Sequence, residues 1–268
     1  MRRSRFLFAC LLGGYLFLYL PILLLVGTSF NDSRLTTVWT GFSLRWFAVL
    51  AADDKLVTAA LLSLRIALLS ATGATVLGTL AGIALARLGR FRLRLVFAGL
   101  LAAPVVLPEL LIGLSMLLLF VAMQQLTGFP NGRGAGTIIV AHITVALAFV
   151  AIVIEARLAD SGTSLEDAAM DLGASPAQAF LRITLPLLAP ALVSGWLLAF
   201  TLSLDDIVIA SFVAGPGATT MPMVVFSSLR LGATPELNAL ATVILGVVSL
   251  CLLAAWRFAP VARLGARP

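Results

Sequence analysis

Long uncharged runs dominate this chain and constrain it more than any motif does. Phe6–Phe30, Ile66–Ala86, Gly134–Ile154, Ile183–Leu204 and Leu237–Trp256 contain no Asp, Glu, Lys or Arg, and Leu95–Gln125 is interrupted only by Glu109. A bilayer-spanning helix needs about 20 mostly apolar residues, and inside hydrocarbon every backbone polar group must be paired within the protein. The chain is therefore predicted to be all-α. It reads as a polytopic membrane bundle of six transmembrane helices, about 6–30, 62–86, 95–125, 134–156, 187–212 and 237–257, in a single domain over 1–268. With 61% hydrophobic and 11% charged residues, a water-facing surface of this size could not be covered. Ile207–Leu229 is also uncharged, but Gly215-Pro216-Gly217 and Pro222 break it. It is read as the end of the fifth helix followed by an outer loop or short re-entrant segment.

The charges sit at the ends of these runs. The net charge of +6 comes almost wholly from arginine, Lys55 being the only lysine. No basic patch forms, so nucleic acid is not an expected partner. With the amino end inside the cell, twelve basic residues fall on cytoplasmic segments: Arg2, Arg3, Arg5, Arg87, Arg90, Arg92, Arg94, Arg157, Arg182, Arg257, Arg263 and Arg267. Five (Arg34, Arg45, Lys55, Arg133 and Arg230) fall outside, and Arg65 lies near the outer end of the second span. That asymmetry obeys the positive-inside bias and predicts both termini in the cytoplasm. The start, Met1 to Arg5 followed by an apolar run, has the form of a signal peptide, but the run is too long and no small-residue cleavage site follows. It reads as an uncleaved first span. Trp39, Trp46 and Phe47 in the first outer loop suggest an interfacial aromatic belt. Cys10 and Cys251 have no metal-type spacing, so no metal site is expected.

The longest polar interruption on the predicted cytoplasmic side is 157–186. Ser164-Leu-Glu-Asp167 has the form of a capping box. Gly173 suits a left-handed helix end, and Ser175-Pro176 restarts a second short helix with proline at its first position. Leu185-Pro186 then opens the next span. Asp167-Ala168-Ala169, three residues, Gly173, nine residues, Ile183, one residue, Leu185-Pro186 is a spaced pattern. It resembles the signature loop of permease subunits of binding-protein-dependent ATP-binding-cassette (ABC) importers. The resemblance implies a type I importer permease fold in the bacterial inner membrane and makes this loop the helix that docks a separate ATPase. Its implied contact residues are Glu166, Asp167, Ala168, Ala169, Gly173, Ile183, Leu185 and Pro186. Asp167 stands where the family has glutamate, and Glu166 precedes it, so either acid can face the partner.

Intramembrane carboxylates are expensive and mark substrate paths. Asp205 and Asp206 lie deep in the fifth span, and Glu109 follows Pro104 and Pro108, which are expected to kink the third. Other roles fit as well: the aspartates can cap a helix end or pair with Arg230, and Glu109 can sit at an interface. Gly73, Gly78 and Gly82 suggest close helix packing in the second span. His142, the only histidine, reads as a packing or hydrogen-bonding residue.

Three further stretches narrow the resemblance: Thr201-Leu-Ser-Leu-Asp-Asp-Ile-Val-Ile209, Ser211 to Thr220, and Pro235 to Thr242. Together with Leu35-Thr-Thr-Val-Trp39 and Asp160–Pro190, they are similar to the polyamine branch of the importer family. That branch implies a small cationic cargo, putrescine first and spermidine as the alternative. It also implies four kinds of company: a second homologous permease, two ATPase subunits, an extracytoplasmic substrate-binding protein, and ATP bound only by the ATPase. No Gly-x-x-x-x-Gly-Lys-Ser/Thr sequence occurs in this chain. An ion-coupled secondary transporter would use the same carboxylates but calls for inverted repeats, which the sequence lacks. An intramembrane enzyme would need a polar set converging at depth.

Overall fold

The computed structural model describes residues 2–34, 38–89, 91–231 and 234–258. Leu35–Thr37, Arg90, Arg263 and Arg267, invoked above, lie outside the described residues. Among those described the chain is helical, and the only β pairing is an isolated bridge between Asn31 and Phe42. Two units form, one from 1–57 with 225–268 and one from 58–224.

In the first unit, α1 (Arg2–Ser29) is one unbroken helix of 28 residues, about 42 Å long. Its apolar side chains are exposed, Phe17 at 81%, as suits a helix whose solvent is hydrocarbon. It packs against α12 (Pro235–Phe258), where the Asn238 amide donates to Thr28 Oγ1 at 3.1 Å. The loop after α1 is built around buried Asn31, whose Nδ2 donates to the Val38 carbonyl and whose Oδ1 accepts from the Thr40 N–H. The short helix α2 (Arg45–Ala52) corrects the aromatic-belt expectation. Trp46 is 3% exposed and donates its indole N–H to the Asn31 carbonyl at 2.7 Å. An indole with a buried acceptor for its one donor need not sit at an interface. The Phe47 ring lies tilted against Phe30, and Trp39 remains exposed.

The second unit is organised on α6 (Ala135–Ser161), the most buried of the apolar helices. On one side lies α3 (Asp54–Arg87), brought close by glycine. A Cβ added at Gly78 would stand 2.7 Å from the Leu147 carbonyl oxygen, and one at Gly82 would stand 2.8 Å from that of Ala151. At Gly73 it would meet Ile143. Lipid supplies no hydrophobic drive between helices, so such close approach is what joins them. On another side α6 packs along α9 (Leu185–Asp205), with Val150, Ile154, Leu158 and Leu188 in one core cluster. A second cluster gathers Ile112, Ile138, Ile209 and Val213.

Two expected spans are divided. The run 95–125 forms α4 (Arg94–Val106) and α5 (Glu109–Thr127), separated at Leu107–Pro108, where ψ is 142° and 135°. Proline disfavours helical geometry in the residue before it, and at Leu107–Pro108 the helix breaks, whereas Pro104 stays inside α4. The run 187–212 ends as a helix at Asp205. Asp206 is extended, and α10 (Val208–Val213) follows as a separate turn packed on α5. At Gly113 an added Cβ would lie 2.7 Å from the Phe212 ring, which is why α10 can sit there. The next segment turns at Gly215, where a Cβ would collide with the Arg133 carbonyl, and continues into α11 (Met221–Leu231).

Five described helices are long and apolar enough to cross a membrane: Phe6–Ser29, Asp54–Arg87, Glu109–Thr127, Ala135–Ser161 and Pro176–Asp205. The apolar stretch of α12 found among the described residues, Pro235–Leu250, is shorter.

Candidate functional site

The second unit holds two polar sites, near opposite ends of α9. The first surrounds a cavity of about 300 Å³ lined by Glu109, His142, Phe149, Ser203 and Asp206 among others. The break at Leu107–Pro108 starts α5 with Glu109 at the cavity wall, and the break after Asp205 turns the Asp206 carboxylate into it. His142, on α6, is nearly enclosed. Its Nδ1 lies 2.6 Å from Ser203 Oγ and its Nε2 lies 3.1 Å from Asp206 Oδ2. Both ring nitrogens are thus partnered, one by a hydroxyl and the other by a carboxylate. Asp206 also accepts from the open backbone N–H groups of Ile209 at 3.2 Å and Ala210 at 2.7 Å. Among the described residues no arginine or lysine forms an ion pair with this carboxylate.

Of the three acids read from the sequence, Glu109 and Asp206 meet at this cavity, and Asp205 does not. It is the exposed last residue of α9. In the other unit, the Arg230 guanidinium stacks over the Phe226 ring. Helix capping, the other structural role, is met by Asp206 in addition to its place in the wall.

The second site is the loop between α6 and α9. Here α7 (Ser164–Asp171) starts after Thr163 with no side-chain cap, so the expected Ser164–Asp167 capping box does not form. Ser164 already lies inside the first turn, whereas a hydroxyl caps from the residue before it. Glu166 and Asp167 still sit in the first turn, where the helix dipole favours acids. The expected glycine ending is present: Gly173 has φ +91°, Gly173 N–H bonds to the Met170 carbonyl and Ala174 N–H to that of Ala169. These are the paired bonds of a Schellman ending. Ser175 caps α8 (Pro176–Ala179), exchanging bonds with Gln178 at 3.3 and 3.0 Å. No break follows, because Phe180–Thr184 form a π turn that carries α8 straight into α9, with Ile183 in that turn and Leu185 and Pro186 opening α9.

The two loop acids differ. Asp167 and Ala168 are exposed, while Glu166 is turned inward. Glu166 Oε1 accepts from Arg87 Nη2 at 2.9 Å and from Thr184 Oγ1 at 2.8 Å.

Residues 78–260, which contain both sites, match the family described as binding-protein-dependent transport system inner membrane component. The chain belongs to that family. It is 55% identical over 254 residues to the putrescine transport system permease protein PotI of Escherichia coli (strain K12), covering 95% of this chain and 90% of that one. It is 40% identical over 241 residues to the spermidine/putrescine transport system permease protein PotC of the same strain, covering 90% and 88%. In fold it is similar to a bacterial ABC transporter that imports the acidic polysaccharide alginate, with a TM-score of 0.70 at 17% identity and 96% of each chain covered. The MetNI methionine ABC transporter also aligns, with a TM-score of 0.61 at 20% identity over 75% of this chain and 93% of that one. Members of this family are multi-pass inner-membrane transport components rather than enzymes.

For such a permease, sequence reasoning left four residues out of its sites: His142, Ser203, Arg87 and Thr184. In the sequence Arg87 reads only as a topology signal, and His142 only as a packing or hydrogen-bonding residue. Their partners lie 61 and 79 residues away along the chain. A single sequence carries no sign of such pairings.

Proposed function

We propose that this chain is a permease subunit of an ATP-driven ABC importer that moves a polyamine, putrescine first, into the cytoplasm. The observation that carries this is the 55% identity to a putrescine permease across 95% of the chain. The cavity chemistry supports it. A diamine carries two ammonium groups, and Glu109 and Asp206 offer carboxylates in one cavity, with Phe149 as an aromatic face. Among the described residues neither carboxylate is paired with an arginine or lysine.

In this reading the chain crosses the membrane six times with both ends in the cytoplasm, as the arginine asymmetry favours. It works beside a second homologous permease, two ATPase subunits and an extracytoplasmic binding protein, and ATP is bound only by the ATPase. The ATPase docks on α7 and its flanks. Asp167, Ala168, Ala169 and Gly173 form the approach surface, and Ile183, Leu185 and Pro186 join it to the fifth span. Exposure of Asp167 beside a small-residue face supports close seating of a partner. The 40% identity to a spermidine/putrescine permease makes spermidine the second cargo to test.

The test is uptake of labelled putrescine by the complete transporter in liposomes with trapped ATP. Accumulation that requires hydrolysis, with spermidine the weaker competitor, is expected. Accumulation under a proton gradient with hydrolysis abolished would overturn the reading.

A further inference from the structure

We propose that Arg87 and Glu166 form an ionic clasp that fastens the docking helix α7 to the span ends, making Arg87 a positioning residue for coupling hydrolysis to transport. This rests on the reading of α7 as the ATPase dock. Arg87, the last residue of α3, donates through Nη2 to Glu166 Oε1 at 2.9 Å and to the Gly162 carbonyl at 2.6 Å. Gly162 closes α6, and Thr184, which also donates to Glu166 Oε1 at 2.8 Å, enters α9. One carboxylate and one guanidinium thereby tie α7 to the adjoining ends of α3, α6 and α9. The side chains are 21% and 22% exposed, enough enclosure for the pair to escape much of the screening that weakens surface pairs.

Apolar packing does not do this job. None of the residues of α7 is fully buried, and a cavity of about 150 Å³ lined by Arg87, Glu166, Met170 and Phe180 lies beside the clasp. A helix so loosely seated would slide or tilt under load unless a directional contact held it. Charge-assisted hydrogen bonds are directional and stronger than neutral ones. Movement of the ATPase, applied at exposed Asp167, would pass through Glu166 to three spans together. The clasp also assigns the two neighbouring acids: Glu166 faces inward to the spans and Asp167 outward to the partner.

The test uses the complete transporter with its ATPase and binding protein in liposomes. ATPase retention, ATP hydrolysed and putrescine imported are measured for Arg87→Gln, Glu166→Gln and the double variant. Each single variant should retain the ATPase yet raise ATP hydrolysed per putrescine about fivefold. The double variant should be no worse than either single, because the two changes break one contact. Thr184→Val, which leaves the ion pair in place, should raise the ratio about twofold and serves if the arginine variants fail to insert. An unchanged ratio in both single variants, or strictly additive effects in the double, would overturn the clasp. Loss of the ATPase from Glu166→Gln would also overturn it, by making Glu166 a docking residue. Full ATPase retention by Asp167→Arg and Gly173→Val would instead remove the docking reading beneath it.

Discussion

Glu166 and Asp206 are both partly buried carboxylates beside the ends of α9, yet their partners differ in kind. Glu166 is met by a guanidinium and a hydroxyl; Asp206 is met by the His142 imidazole and two backbone N–H groups. In a low-dielectric setting an acid must be stabilised either way, since an unpaired buried charge is costly. The choice of partner decides what remains. Arginine cancels the charge of Glu166 and turns it into a fastening. The His142 ring and backbone N–H groups hold Asp206 at the cavity wall, where it can meet a cation arriving from the cavity. The same residue class therefore serves as a joint at one end of the helix and as a lure at the other.

The largest expected effect breaks the lure. Asp206→Asn keeps the size but loses the charge, and ATP-driven putrescine uptake should fall about thirtyfold, as for the loss of about 2 kcal/mol of charge-assisted binding. Uptake should fall while ATPase binding stays normal. Gly173→Val attacks the loop end instead. A β-branched residue at φ +91° is strained by about 1–2 kcal/mol, so ATPase co-purification should drop about tenfold with membrane insertion intact. His142→Ala removes the partner of both Ser203 and Asp206, and uptake should fall about fivefold while ATPase binding is unchanged. The smallest effect sharpens the comparison: Asp205→Asn, at an exposed helix end away from the cavity, should stay within about twofold of wild-type uptake.

How much of this was legible beforehand follows from the reach of each interaction. The apolar runs announced the helices because hydrocarbon imposes a length and forbids charge, a constraint that acts residue by residue. Gly173 and Ser175-Pro176 were legible for a similar reason, since turn chemistry is local. The break at Leu107–Pro108 was legible only as a kink and the one at Asp206 not at all, because apolar residues resume directly after the acids at both points. Ser164 was misassigned as a cap by a single residue of helix register. Trp46 looked like an interface residue until the fold supplied the Asn31 carbonyl. The clasp and the histidine contacts lay beyond reach: Arg87 meets Glu166, and His142 meets Ser203 and Asp206, only after α3, α6 and α9 have packed on their small residues. The relatives then fixed the family, while the geometry separated the roles of acids that sequence had left interchangeable.

The central claim, that Asp206 faces the cargo and Glu166 faces the protein, is tested most directly by carbodiimide labelling of carboxylates in the working transporter, mapped by mass spectrometry. Adding putrescine during ATP turnover should protect Asp206, with Glu109 following, and leave labelling at Glu166 unchanged. Labelling at Asp206 that ignores putrescine, or protection that falls on Glu166 instead, would contradict the account.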